Sequence, residues 1–194
     1  MTDRRWEAIV IGGSAGALRA LSTILPALPA DFPLPIMAVV HLPPDKQSVL
    51  AEVLQAKCAM RVREAQDKEP IEPGTIYFAP PDYHLLVEDD RHFALSYDAP
   101  QLFSRPSIDV LFESAVDVYA DRLIGIVLSG ANNDGALGLE AVDREGGLPL
   151  VQSPKDAHST AMPLAALAKC PTAQALSAEQ IASFLKSQSH ESET

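Results

Sequence analysis

The strongest constraint on this chain is a recurring unit: a short apolar run, a polar or glycine-bearing bend, then a helix-like segment. Residues 7–11, 36–40 and 123–128 are the clearest runs, and their apolar residues follow one another almost without interruption, as in strands covered on both faces. Weaker runs stand at 60–65, 75–79 and 148–152. Helices are expected over 17–25, from a cap at Asp45 to about residue 56 with Leu50, Val53 and Leu54 on one face, and from Ser107 onward. Two more are expected over 136–145, ended by Gly146-Gly147, and over 161–169, with Pro163 in the first turn. A last one opens on the capping pair Ser177 and Gln180. Strands alternating with helices predict an α/β fold: a doubly wound, mostly parallel sheet with helices on both faces. The exception is 84–97, which reads as an antiparallel hairpin turned by Asp89-Asp90.

The whole pattern fits one domain over residues 1–187, followed by a polar tail over 188–194. A net charge of -11 leaves no basic excess for a phosphate backbone, so no nucleic-acid partner is expected. No apolar stretch is long enough to span a bilayer and the start does not read as a signal peptide, so a cytoplasmic protein that is not membrane-inserted is the expectation. Cys58 and Cys170 lack Cys or His neighbours at metal-binding spacing and read as free thiols. His84, His92 and His158 are given no ligand role, and neither a metal nor a cofactor is expected.

Three bends carry chemistry. The first, Gly12-Gly13-Ser14-Ala15-Gly16, fits two readings. As a dinucleotide loop it has serine where the middle glycine belongs, and the following strand ends in His41 rather than an acid. As G-x-S-x-G it is a nucleophile elbow, with the Ser14 hydroxyl above the sheet and helix amides behind it. A serine that merely caps the helix is the plain alternative. The second bend begins at His41, whose Nε2 is the expected acceptor of the serine proton. The third, 128–138, offers Asp134 to accept the other imidazole N–H, though an Asx turn or helix cap explains it equally well in isolation. All three follow strands at the carboxyl edge, where open sheets bind ligands. The chain order Ser, His, acid differs from the α/β-hydrolase order.

The segments IGGSAG, VVHLP, PGTIYFAPPDYHLLV, SRPSIDVLFESA, LSGANNDGALG and AHSTAMPLAA, in that order, resemble the catalytic domain of the CheB family, the protein-glutamate methylesterases of bacterial chemotaxis. The resemblance covers residues 9 to about 185 and implies Ser14 as nucleophile, His41 as base and Asp134 as its orienting acid. It implies hydrolysis of γ-glutamyl methyl esters on the cytoplasmic helices of chemoreceptors, with deamidation of receptor glutamines by the same acyl chemistry. Chemotaxis signalling proteins are further implied partners. Oxyanion and pocket candidates are the amides of Ala15 and Gly16, the loop residues Ala131 and Asn132, and the side chains of Met162, Phe103 and Arg105. Arg105 is expected either to meet acidic groups on the receptor or to brace the Asp134 loop. The chain departs from the family pattern at Ala15, Ser104, Ala131 and Asn132, and no receiver domain stands ahead of residue 9 in this sequence; a stand-alone member is the expectation, with a piece of a longer protein as the alternative. Two rival readings keep the fold but change the function: a non-catalytic protein-binding module and a nucleotide-binding oxidoreductase.

Overall fold

The structure, a computed structural model, describes residues 6–42 and 49–189. The strands are β1 (Ala8–Gly13), β2 (Ile36–Val40), β3 (Arg61–Glu64), β4 (Thr75–Phe78), β5 (His84–Val87), β6 (Phe93–Ser96), β7 (Leu123–Val127), β8 (Leu148–Gln152) and β9 (Gln174–Leu176). The helices are α1 (Ala17–Ile24), α2 (Leu50–Gln55), α3 (Ile108–Tyr119), α4 (Ala136–Arg144), α5 (Ala161–Lys169) and α6 (Ala178–Ser187). Seven strands form one parallel sheet in the order β3-β4-β2-β1-β7-β8-β9. Hairpin β5-β6 is a separate antiparallel pair, as its alternation predicts.

Successive residues of the central strands feed opposite cores. Ile9, Ile11, Ile36, Ala38, Ile124 and Ile126 face α1 and α6, which contribute Leu21, Ile24, Ile181 and Leu185. Val10, Met37, Val39 and Val127 face the other way, toward Ile108 and Phe112 of α3 and Leu139 and Val142 of α4. Leu85 and Phe93 of the hairpin extend that second core. The chain thus begins mid-sheet at β1, builds outward through β2 to β3 and β4, and returns to β7 on the other flank of β1. The helix after β1 covers one face and the helix after β7 covers the other. Their connecting loops diverge at the carboxyl edge, which opens a crevice beside β1.

Gly12 shows why the first bend needs its glycines. A Cβ there would lie 2.2 Å from Ile108 Cγ2, so the start of α3 approaches β1 closer than any side chain permits. Gly12→Ala is expected to cost about 1–3 kcal/mol, read as a lowered denaturation midpoint, because overpacking at this crossing displaces α3.

Several expectations are corrected at their edges. Val53 is 43% exposed, because the buried stripe of α2 is Leu50, Ala51 and Leu54 and position 53 lies on its far flank. The Asp45 cap lies outside the described residues. Strand β9 has no counterpart in the sequence reading: it is three residues at the sheet edge, exposed or half-buried, and so lacks an apolar run. Ser177 and Gln180 do form a capping box, and Gly146 does take the left-handed conformation (φ 84°) past α4. Gln188 and Ser189 close the last turn of α6, and the rest of the expected tail lies outside the described residues.

Candidate active site

Sheet register alone brings the first two candidates together. Gly13 of β1 pairs with Val40 of β2, and the His41 amide donates to Gly13 O at 2.9 Å. Ser14 and His41 are therefore the next residues along two neighbouring strands, with backbones about 4.8 Å apart. On the other flank, the Ser14 amide donates to Ser129 O at 2.9 Å, just beyond β7. The loop that follows carries Asp134 back over the strand ends.

Asp134 is fully buried, and its carboxylate is wrapped in donors. Oδ1 accepts from the Ser107 hydroxyl, the Asp109 amide and the Gly135 amide, each at 3.0 Å. Oδ2 accepts from the Ile108 amide at 2.7 Å and faces His41 Nε2 at 3.0 Å. The Ile108 and Asp109 amides belong to the first turn of α3, so the carboxylate sits where the helix dipole favours negative charge. Burial alone pushes the Asp134 carboxyl up, but His41 and the Asp109 and Ile108 amides outweigh it and hold the group below its ordinary range. His41 Nε2 stands close to Oδ2 but outside hydrogen-bond alignment.

This reverses one expectation. Nε2 of His41 faces Asp134, so the nitrogen left to receive the serine proton is Nδ1. The Asn132 side chain is anchored by accepting the Asp134 amide at 3.1 Å, and its Nδ2 lies 3.5 Å from that same His41 Nδ1. Asn132 Nδ2 can only donate and the ionised Asp134 opposite Nε2 can only accept, so both neighbours favour the tautomer with the proton on Nε2, and the long Asn132 contact gives way when Nδ1 takes another partner.

The Ser14 hydroxyl makes no hydrogen bond within the described residues. It does not cap α1: Gly16 occupies the cap position in the left-handed conformation (φ 85°), with no side chain bonded to the helix amides. The amides of Ala15 and Gly16 likewise meet no acceptor there, which leaves two open donors beside the hydroxyl.

The remaining candidates scatter. Arg105 does not brace the Asp134 loop; its guanidinium bonds Asp82 Oδ1 at 2.7 and 3.1 Å and the carbonyls of Tyr97 and Asp98, and lies 3.8 Å over the Tyr97 ring. Met162 is fully buried, its amide bonded to Gly130 O and its sulfur packed where a Gly130 Cβ would stand, so it supports the loop from below. Phe103 is fully exposed at the tip of a tight turn with Leu102. Ala131 is exposed on the loop itself. Next to that loop, Leu102, Asp109, Asn133, Leu137 and Lys169 help line a cleft of about 410 Å³.

Four residues that matter to the site have no signal in the sequence reading. Ser129 is fully buried beneath the serine loop; its hydroxyl donates to Ala15 O at 2.7 Å and accepts from the Ser159 amide at 2.8 Å. Gln152 accepts the Ser129 amide at 2.9 Å. Buried His84 accepts the Ser107 amide on Nδ1 and faces Ala99 O with Nε2, each at 3.1 Å, so it holds the entry to α3. Asp109 accepts the Gly138 amide at 2.7 Å, tying α3 to α4. Burial pushes the Asp109 carboxyl up to about 6 against the pull of the Gly138 amide, with the Asp134 charge adding to the rise. A raised carboxyl favours the folded state most below its unfolded value and loses that contribution as pH rises through the folded one. Asp109→Asn, which keeps an acceptor for Gly138, is therefore expected to gain stability relative to the parent as pH rises from about 4 to about 6. Chemical denaturation of both proteins at stepped pH measures the gap.

Comparison with known proteins shows the family and the fold. The family model for CheB methylesterase matches residues 9–185. A Leptospira interrogans protein, provisionally named protein-glutamate methylesterase/protein-glutamine glutaminase, is 47% identical over 177 residues, 91% of this chain and 92% of that protein. A Methanosarcina mazei protein-glutamate methylesterase/protein-glutamine glutaminase is 38% identical over 80% of this chain, which spans 44% of that longer protein. The crystal structure of the Thermotoga maritima CheB methylesterase catalytic domain superposes with a TM-score of 0.90 at 31% identity, covering 94% of this chain and 98% of that one.

Proposed function

The chain belongs to the CheB methylesterase family, and we propose on that premise that it is a serine hydrolase of protein γ-glutamyl methyl esters, with glutamine deamidation as its second reaction. The observation that carries this reading is the pairing of His41 with a buried, ionised Asp134 at the strand end next to Ser14. The proton of Ser14 Oγ passes to His41 Nδ1 as the oxygen bonds the ester carbon. The other ring proton stays on Nε2, facing Asp134, whose charge stabilises the imidazolium without taking that proton. The carbonyl oxygen becomes an oxyanion in reach of the open Ala15 and Gly16 amides. Collapse of the tetrahedral species breaks the bond to the methoxy oxygen, which takes the proton from Nδ1 and leaves as methanol. Water then adds to the acyl-serine, giving one proton to His41, and Ser14 leaves with that proton to release glutamate. An amide follows the same path and releases ammonia.

The substrates are the cytoplasmic helices of chemoreceptors, with other chemotaxis signalling proteins as partners and the cytoplasm as the place of action. Among the described residues no helix is long and apolar enough to cross a membrane. Residues through Ser187 act as one catalytic domain. The test is methanol release from a carboxyl-methylated receptor fragment, with ammonia release from its glutaminyl form run alongside. Methanol production by the folded protein is the expected result. None, from protein whose circular dichroism and unfolding transition are intact, overturns the reading.

A further inference from the structure

We infer that Ser129 is a positioning residue that aims the Gly16 amide at the oxyanion; the inference rests on the acyl-transfer reading above. A trans peptide is planar, and its C=O and N–H point in opposite directions. The Ala15 carbonyl and the Gly16 amide belong to one such unit. The Ser129 hydroxyl has a single proton, and its shortest acceptor is Ala15 O at 2.7 Å. With that carbonyl drawn down onto a buried hydroxyl, Gly16 N–H is turned away from Ser129 and outward, where it meets no acceptor in the described residues.

The hydroxyl is itself locked. It accepts the Ser159 amide at 2.8 Å, and the Ser129 amide donates to Gln152 Oε1 at 2.9 Å. Gln152 Nε2 donates to Asp156 Oδ2 at 2.8 Å, and that oxygen also accepts the Ala178 amide at the start of α6. Ser159 O, 3.2 Å from the hydroxyl, takes the Gly130 amide instead. The position of Ser129 Oγ is thus set by β8, α6 and the 157–160 segment rather than by the loop it holds. Gly16 permits the approach: a Cβ at that residue would lie 2.7 Å from Ser129 Oγ and 2.6 Å from His158 Cβ. Glycine also makes rotation of the peptide cheap once the hydroxyl is gone. Ser129 touches neither substrate nor the reacting atoms, so its loss affects the transition state and leaves ester binding alone.

The experiment compares the parent, Ser129→Ala and Ser129→Thr on a methylated receptor fragment, with the unfolding midpoint of each. Ser129→Ala is expected to lose about 100-fold in kcat with KM within about 2-fold, the signature of a misaimed oxyanion donor. Ser129→Thr, which keeps the hydroxyl, is expected to restore most of the rate. A folded Ser129→Ala with near-parental kcat overturns the inference, as does equal loss in both variants, which would acquit the hydroxyl. Should the alanine variant not fold, the parent decides. The Gly16 amide resonance is expected to move downfield when a fluorophosphonate forms its tetrahedral adduct on Ser14, and an unmoved Gly16 resonance overturns the assignment. A parent that neither releases methanol nor takes up the fluorophosphonate fails the acyl-transfer reading itself, and the inference with it. An active parent indifferent to Ser129→Ala sinks the positioning role alone.

Discussion

Ser14→Ala is expected to abolish methanol release, with kcat falling by about 10⁴- to 10⁶-fold, while the unfolding midpoint stays within the error of the parent's. The rate loss follows from the role: without an attacking oxygen the acyl path closes, and only residual stabilisation of the uncatalysed reaction survives. The stability half is what makes the prediction discriminating. The Ser14 hydroxyl is hydrogen-bonded to nothing in the described residues and caps no helix, so its removal takes away no structural bond. Its backbone amide, which does hold the loop to Ser129 O, is untouched by the substitution. A capping or packing serine gives the opposite result: measurable destabilisation with activity preserved. Steady-state methanol release and a thermal melt on the same preparation separate the two.

Asp134→Asn is expected to damage both quantities at once. About 10⁴-fold in kcat is the expected loss, since an amide NH₂ placed against His41 favours the wrong tautomer. Stability is expected to fall by about 2–4 kcal/mol. The carboxylate accepts from Ser107, Ile108, Asp109 and Gly135, and whichever oxygen becomes NH₂ then confronts donors with a donor. The acid limb supplies a further check. A lowered carboxyl contributes stability that is present above its unfolded value and lost as pH falls through the folded one. The difference in unfolding free energy between parent and variant is therefore expected to narrow as pH drops below about 4, and denaturant titrations across that range read it directly.

The division between what the sequence discloses and what it hides has a physical basis. Buried strands such as β1, β2 and β7 announce themselves because both faces demand apolar residues. The three candidate catalytic side chains are equally visible, because each stands in the bend that directly follows such a strand. The nitrogen of His41 that faces Asp134 is not visible, since ring orientation is decided by Asn132 and by the turn of α3, contacts made across 91 and 26 residues of chain. Ser129 hides for the same reason: its partners Ala15 and Ser159 lie 114 and 30 residues away. Arg105 misleads in the other direction. A lone cation near the site suggests a role there, whereas Asp82 and the Tyr97 ring already hold it on the hairpin side.

The double employment of Asp134 also bears on how descendants of this fold can decay. A lineage that no longer needed the reaction could let Ser14 drift at little structural expense, yet would still require an acid at 134 to keep the first turn of α3 seated, and His41 to offset the burial of that acid. Retention of that aspartate, or of the imidazole beside it, therefore says little about whether a relative still works, and the hydroxyl is the position to inspect when living enzymes are sorted from silent ones.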